Sequence, residues 1–522
     1  MSKYIFVTGG VVSSLGKGVS AASLGALLQS RGYSVHVRKF DPYLNIDPGT
    51  MSPLQHGEVY VTNDGFETDL DLGYYERFLG IKLSRNDSCS GGRIYWEVLN
   101  AERHGDFLGA TVQMIPHVSN KIKEHIASPT DTDFVICEIG GTVGDIEQKI
   151  FLESIRQFAN DVGRRNVLFA HLALAPYLEQ SGELKTKPTQ MSVRRLLENG
   201  IQADMLFVRS PRMLTGEERS KIGMFCNLPA KNVITSMNVD NIYKIPLVYD
   251  EQDVFAIMAE HFGLPNAAGD MSKFKKIEHH LNDDLPTCTI GVVGKYFDVA
   301  DAYKSLNEAL FHASVQNNVH LKIKKIDAEH FSPEDCADVD GILIPGGFGT
   351  RGVDGKIAAA TYARENKVPF MGICLGMQVA VIDFMRNVVG DKNASSTEFV
   401  KNCTPVIDIM GECNTGDMGG TLRLGAYPCK IKSGSLAEKI YGATEISERH
   451  RHRYEVNITY KDALEKAGMI VSGISPDGKL PEIVEIPSHP FFIAGQFHPE
   501  FQSSPYTGHP MFNAFIAAAK RK

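Results

Sequence analysis

Two short stretches of this chain bring together residue types at spacings that do chemistry. The first is Gly372-Ile373-Cys374-Leu375-Gly376, which follows the apolar run Val368 to Met371. A Gly-x-nucleophile-x-Gly pattern sets the nucleophile on a sharp strand-to-helix turn, where side chains on either side would collide. A helix N-terminus behind a thiol favours the thiolate. The N–H of Leu375, with one from the Gly346-Gly347 loop, can stabilise an oxyanion. A cysteine nucleophile needs a base, and Phe497-His498-Pro499-Glu500 offers one at the end of another apolar run. His498 takes the thiol proton and Glu500 orients the imidazole. A buried cysteine alone is ordinarily core packing. The elbow and the His-x-Glu together point to Cys374, His498 and Glu500 as a catalytic centre.

The second stretch is Gly9-Gly10-Val11-Val12-Ser13-Ser14-Leu15-Gly16-Lys17-Gly18, between the β-forming run Tyr4–Thr8 and a helical pattern over Val19–Ser30. Strand, glycine-rich loop and helix place backbone N–H groups at a helix N-terminus, where a phosphate is stabilised by donors and dipole. Lys17 adds a positive charge for the outer phosphates. The P-loop formula is met imperfectly: five residues separate Gly10 from Gly16, and Gly18 replaces the hydroxyl residue that usually holds Mg²⁺. A metal here must take acidic ligands instead. Lys39 and Asp41 end the next strand, Ser34 to Phe40, near the loop edge. Lys39 reads equally as a site residue or a solvated strand end. Asp69 and Asp71 are spaced as strand neighbours on one face. Glu138 ends the apolar run Phe134–Ile139, where a Walker-B-type acid stands, and is either a buried special group or an edge residue.

These residues need elements to hold them. Apolar strands alternate with helical patterns through both halves, which predicts two doubly wound, mainly parallel α/β domains. The boundaries read as 1–265, a polar linker over 266–286 in which Ile277 and Leu281 suggest a short helix, and 287–522. Tyr43–Leu72 reads as a long polar loop with glycine, proline and interleaved aromatics, a functional loop rather than a disordered one. Lys185-Thr186-Lys187-Pro188-Thr189-Gln190 precedes a helix and reads as a phosphate grip or a solvated turn. Arg449-His450-Arg451-His452-Arg453-Tyr454 reads as a solvated face or an anion grip.

The totals set limits. At 522 residues the chain is too long for one hydrophobic core. A net charge of −8 argues against nucleic-acid binding by a broad basic face, and 9 scattered cysteines with no Cys-x-x-Cys suggest neither a disulfide framework nor a zinc site. With no signal peptide and no membrane-length apolar run, a soluble cytoplasmic protein with no membrane partner is expected.

On these motifs the second half resembles a class I glutamine amidotransferase domain, through Pro345-Gly346-Gly347-Phe348-Gly349, the Cys374 elbow and Phe497-His498-Pro499-Glu500. The first half resembles the synthase domain of the CTP synthase family. It does so through the Gly9–Gly18 loop, Asp41-Pro42-Tyr43, Asp47–Pro53, His56–Val59, Asp69–Gly73, Gly140–Glu147 and Lys185–Gln190. The resemblance covers nearly the whole chain in the family's order. It implies an N-terminal P-loop-like synthase domain and a C-terminal glutaminase domain. It further implies ATP-dependent amination of UTP to CTP through a 4-phosphorylated UTP, with ammonia from glutamine, activation by GTP and inhibition by CTP.

Carried onto this sequence, Ser14, Leu15, Gly16, Lys17, Gly18 and Val19 would hold ATP, with Lys39 assisting phosphoryl transfer. Asp71 and Glu138 would bind Mg²⁺. Met237, Asn238 and Val239 would lie on the adenine side, where Met237 and Asn238 depart from the charged residues of many relatives. Ser13, Lys185, Thr186, Lys187, Pro188, Thr189, Gln190 and Lys221 would hold UTP, and Asp145, Ile146 and Glu147 would contact the pyrimidine nucleotide, chiefly CTP. Gly347, Leu375, Gly376, Met377, Gln378, Glu398 and Arg453 would hold glutamine. The resemblance also implies a homotetramer. Two other readings stay open: another glutamine-dependent ATP amidoligase of related fold, and a P-loop switch or filament scaffold with a vestigial amidase half. An intact Cys374, His498 and Glu500 speak against the second.

Overall fold

The computed structural model describes residues 2–51, 57–180, 182–295, 297, 301–409 and 422–520. Ser52, Pro53 and His56 of the motifs above lie outside the described residues. The chain forms two compact units, one of residues 1–48 and 71–279, the other of 49–70 and 280–522.

The first unit is built on β1 (Lys3–Gly9), whose last five residues are buried. The chain then runs through α1 (Lys17–Gln29), β2 (Val35–Asp41), α2 (Asp71–Leu79), β3 (Ser88–Ser90), β4 (Phe134–Ile139), β5 (Val167–Leu174), α3 (Lys187–Glu198), β6 (Met205–Ser210) and β7 (Val233–Met237). The sheet order is β7-β6-β5-β1-β4-β2-β3, and each pairing is parallel. β2 lies to one side of β1 and β5 to the other, so the order reverses at β1. Ligands bind at the carboxyl ends of strands at such a switch point. The Gly9–Gly18 loop leaves β1 there, and β4 sets Glu138 level with Val7 on one side and Lys39 on the other.

The second unit contains β8 (Thr287–Gly294), β9 (His320–Asp327), β10 (Gly341–Ile344), α4 (Val353–Asn366), β11 (Phe370–Ile373), α5 (Leu375–Phe384), β12 (Arg423–Ile431), β13 (Glu445–His452), β14 (Ile470–Ile474), β15 (Pro481–Glu485) and β16 (Phe492–Gly495). Its sheet runs β9-β8-β10-β11-β16-β15-β14-β12-β13. The first five strands are parallel and the rest antiparallel, so the mainly parallel expectation describes the half that carries the elbow. Short connections join β14, β15 and β16, and a short connection between adjacent strands forces antiparallel pairing.

Three sequence expectations change. The long loop over Tyr43–Leu72 contains a hairpin, Val59–Val61 paired with Glu67–Asp69, which belongs to the second unit. Asp69 is therefore in a hairpin strand while Asp71 opens α2 in the first unit, and the two are not strand neighbours. The Arg449–Tyr454 run is not a solvated face: its first four residues lie in β13, where Arg449 and His450 are 0% exposed, and Arg451 and Arg453 line a cavity, which leaves the anion-grip reading to those two. Arg449 is buried because it clamps the hairpin, donating to Tyr60 Oη at 2.8 Å, Val61 O at 3.0 Å and Asn63 Oδ1 at 2.6 Å. Gly425 and Gly65 make this close approach possible: both have positive φ, and a Cβ on Gly425 would stand 2.6 Å from Gly65 N. The short helix that Ile277 and Leu281 suggest within the linker is present as Ser272–Asn282.

Candidate functional site

In the first unit the phosphate-type loop is left-handed at Val11, Ser14 and Gly16. Turns of this kind build concave anion nests from successive N–H groups. Gly16 caps α1 without a side-chain hydrogen bond, and the first turn of α1 holds no acid. The helix N-terminus is thus left to an anion.

Behind the loop lies a dense charge cluster. Lys39 Nζ is 2.5 Å from Asp71 Oδ2, 3.1 Å from Glu138 Oε1 and 3.4 Å from Asp41 Oδ1. Glu138 is 1% exposed, a buried group and not an edge residue, and it accepts a hydrogen bond from Tyr75 Oη. Burial raises the Glu138 pKa, opposed by Lys39. Burial works against the Lys39 ammonium, but the three carboxylates outweigh it and hold its pKa well above the usual lysine range. Lys17 donates to Gly141 O at 3.1 Å. Its pKa is lowered by burial and by Lys39, with Glu138 opposing.

The departure at Gly18 has a steric cause. A Cβ there would stand 2.3 Å from Asp71 Oδ1 and 3.3 Å from Glu138 Oε2. The space a P-loop hydroxyl would need is occupied by two converging carboxylates. Two carboxylates facing one space, with phosphates and water to complete the shell, suit Mg²⁺. Among the described residues no group of three or more His, Cys, Asp or Glu makes a metal cage.

The other nucleotide candidates spread around this end of the sheet. Lys185–Gln190 runs into the start of α3. There Thr189 donates to Leu174 O at 2.8 Å and Gln190 to Thr186 Oγ1 at 3.1 Å. Lys185 and Lys221 both act on Glu183, lowering its pKa. Asp145, Ile146 and Glu147 form an exposed turn, with Ile146 82% exposed. Met237 ends β7, and Asn238 N donates to Ser210 O at 3.3 Å. Ser13 is exposed on the loop.

Sequence reasoning missed Tyr75 and a buried relay in which Thr8 Oγ1 meets His171 Nδ1 at 2.8 Å and His171 Nε2 meets Ser192 Oγ at 2.8 Å. No local motif marks either. Burial, reinforced by Lys17, holds the His171 pKa down to about 3. The unfolded chain takes up this proton near pH 6.5. The unfolded state therefore binds more protons between pH 6.5 and 3, and stability falls as the pH drops through that window. Between pH 6.5 and 4.5 this one group should cost about 2 kcal/mol. Urea unfolding at the two pH values should show that loss for the native sequence and a smaller one for His171→Gln. Equal losses would show that His171 does not stay neutral.

In the second unit, Cys374 has φ 53° and ψ −104° at the N-terminus of α5. The elbow glycines are required by contact. A Cβ on Gly376 would stand 2.1 Å from Ile344 O, and one on Gly372 2.7 Å from the Gly376 backbone. His498 Nδ1 lies 2.7 Å from Glu500 Oε1, and the His498 ring stacks on Phe501 at 5.3 Å. Burial would depress the imidazole, but Glu500 and Cys374 outweigh it and push its pKa up to about 10. That favours the imidazolium form of His498. Gly346 stands against this pair: a Cβ there would be 2.8 Å from His498 Cε1 and 3.6 Å from Cys374 Cβ. A residue without a motif, Lys356 of α4, is fully buried and donates to Pro345 O at 3.3 Å. Its pKa falls to about 7 through burial and Lys295.

A cavity of about 610 Å³ opens on His498 and Glu500, lined also by Gly346, Gly347, Glu398, Arg453 and Tyr454 among others. Glu398 accepts from Gly349 N at 2.8 Å, and burial raises its pKa against Lys295 and Arg453. Leu375, Gly376 and Met377 are buried in the first turn of α5. The Gln378 amide instead donates to Tyr454 O at 2.8 Å and to Gln496 Oε1 at 3.4 Å.

Comparison with known proteins agrees with both halves. The family model for the CTP synthase N-terminus matches residues 3–264, and that for class-I glutamine amidotransferase matches residues 298–518. The chain is 54% identical over 537 residues to a CTP synthase of Paramagnetospirillum magneticum, covering 100% of this chain and 99% of that protein. It is 55% identical over 538 residues to one of Azospirillum brasilense, covering 99% of each. It is also 55% identical over 540 residues to one of Zymomonas mobilis, covering 100% of this chain and 99% of the relative. With Cys374, His498 and Glu500 gathered in one unit, a glycine-rich loop backed by carboxylates in the other, and likeness along its full length, the chain belongs to the CTP synthase family.

Proposed function

We propose that the protein couples two chemistries, one in each unit, in which glutamine is hydrolysed at Cys374 and UTP is activated by ATP beside Lys17 and Lys39. As a family member it is a glutamine-dependent CTP synthase, a ligase of pyrimidine biosynthesis acting on UTP, ATP and L-glutamine. The observation that carries the two-site reading is the presence in one chain of a Cys-His-Glu cluster whose His498 and Glu500 line a cavity and of a separate lysine–carboxylate cluster behind a glycine-rich loop.

In the glutaminase unit the Cys374 thiolate adds to the amide carbonyl, and the N–H of Leu375 and the Gly346-Gly347 loop receive the developing oxyanion. His498 gives its proton to the departing nitrogen, and ammonia leaves. Water then cleaves the thioester to glutamate, with His498 taking the proton. Arg453 pairs with the glutamine carboxylate and Glu398 with its ammonium.

In the synthase unit, Ser14 to Val19 cradle ATP and Lys17 holds its outer phosphates. The UTP O4 attacks the γ-phosphorus, the N3 proton is lost to water and ADP leaves. Ammonia then adds at C4, and phosphate and a proton depart to give CTP. Lys39 neutralises charge on the transferred group, since phosphoryl transfer needs positioning and electrostatics more than covalent help. Asp71 and Glu138 would hold Mg²⁺, which supplies charge neutralisation on the phosphates when bound. Lys185 to Gln190, Ser13 and Lys221 hold UTP. Met237 to Val239 face adenine, and the Asp145–Glu147 turn takes CTP as a feedback inhibitor. GTP activates the glutaminase step, the active form is a homotetramer, and the protein works in the cytoplasm. Among the described residues no helix is long and apolar enough to cross a membrane.

The test is product analysis by chromatography with UTP, ATP and Mg²⁺, using ammonium in one arm and glutamine plus GTP in the other. CTP in both arms is expected. Glutamine hydrolysis without CTP from ammonium would overturn the synthase assignment. A fully active monomer on a sizing column would overturn the tetramer.

A further inference from the structure

We infer that Gln496 is a further catalytic residue of the glutaminase centre, donating a side-chain N–H to the Cys374 sulfur and so favouring the thiolate. The inference rests on the glutaminase reading above and adds a residue to it. Gln496 is 0% exposed, and its Nε2 lies 3.7 Å from Cys374 Sγ, within reach of a hydrogen bond to sulfur. The backbone places it there. Cys374 N donates to Gly495 O at 2.7 Å, so the residue after β16 is set beside the nucleophile, and Gln496 N donates to Glu482 O at 2.9 Å.

Which end of an amide faces the sulfur is normally a matter of assignment. Here a backbone carbonyl decides it. Tyr454 O can only accept, so the atom of Gln378 lying 2.8 Å from it is the nitrogen. That same nitrogen lies 3.4 Å from the Gln496 amide atom facing it, which must then be the oxygen. The other end of Gln496, its N–H₂, therefore points at Cys374. A buried sulfur with an amide donor is better matched as thiolate than as thiol, because a hydrogen bond to the charged form favours that form. The helix N-terminus and the His498 imidazolium act on the same charge, and Gln496 adds a directed donor on the side of β16. Gln378 acts through Gln496 as a positioning residue, which accounts for its buried amide being committed to Tyr454 and Gln496.

The test is the rate of alkylation of Cys374 by iodoacetamide against pH, followed by mass spectrometry, in the full-length protein and in Gln496→Met, which keeps the length of the side chain and removes the donor. The apparent midpoint should rise by about one pH unit. Glutamine hydrolysis near neutral pH should fall roughly tenfold through kcat more than KM. Gln496→Glu, which sets a carboxylate beside the sulfur, should raise the midpoint further. Gln378→Met should give a smaller rise that does not add to that of Gln496→Met. Ammonium-dependent CTP formation, which bypasses the thiol, reports whether each variant is folded. An unchanged midpoint in both folded Gln496 variants would overturn the inference. The alkylation readout does not depend on the substrate, so failure of the glutaminase reading would appear in hydrolysis by the unmodified protein and failure of this inference in the midpoint.

Discussion

Cys374→Ala should abolish CTP formation from glutamine, by about 10⁴-fold or more, while formation from ammonium stays within about twofold of the native rate. The large loss follows from the geometry of the elbow. The thiol is the one nucleophile placed at the N-terminus of α5 with His498 beside it, and an alanine there leaves an imidazole with nothing to activate. The small effect on the ammonium reaction follows from composition: Lys17, Lys39, Asp71 and Glu138 all belong to the other unit, and removing one sulfur leaves their ion pairs intact. The measurement is CTP by chromatography with each nitrogen source. Equal losses in both arms would mean that the thiol serves the synthase chemistry itself. A surviving glutamine reaction would mean that the amide is cleaved elsewhere.

What was legible in the sequence was what local chemistry determines. The elbow pattern declares itself because its glycines flank the nucleophile in a fixed spacing, though only Gly372 clashes locally, with the Gly376 backbone, while Gly376 answers to Ile344 on β10. The glycine-rich loop shows because strand, glycines, lysine and helix follow one another directly. Lys39 was left open between a site residue and a solvated strand end, because its burial depends on Asp71 and Glu138, which arrive from other elements. Other features depend on distant partners. The hairpin over 59–69 has strands of three residues, too short to show a period, and its burial depends on Arg449, far along the chain. The Arg449–Tyr454 run read as a solvated face or an anion grip because charge alone does not say where it lies. Arg449 is buried because the hairpin satisfies it, and the half-buried Arg451 meets Glu67 at 2.8 Å. Gln496, Tyr75, His171 and Lys356 are single residues whose roles come from which strand ends lie side by side, and no spacing announces that.

Gly18→Ser restores the residue that the P-loop formula asks for, and it should damage the enzyme. Ordinarily the hydroxyl after the P-loop lysine binds the metal, so a reading from the motif alone expects a gain or no change. The distances around Gly18 give the opposite sign. A Cβ at position 18 would stand 2.3 Å from Asp71 Oδ1 and 3.0 Å from its Cγ, and 3.3 Å from Glu138 Oε2. Asp71 opens α2, and Glu138 lies in a strand between β1 and β2, so the backbones holding these carboxylates have little room to retreat. Displacing Asp71 breaks its 2.5 Å pair with Lys39 and leaves a buried ammonium with fewer partners. Breaking a buried pair of this kind costs about 3–5 kcal/mol. CTP formation should therefore fall by about 100-fold or more with either nitrogen source. Alkylation of Cys374 should be unaffected, since nothing in the second unit is touched. Gly18→Ala separates the causes. If alanine is as harmful as serine, the Cβ is at fault, as the distances require. If alanine is harmless and serine harmful, the hydroxyl is at fault. If serine leaves the rate unchanged or raises it, then Asp71 and Glu138 do not converge on this point in the working enzyme, and the carboxylates have not replaced the missing hydroxyl.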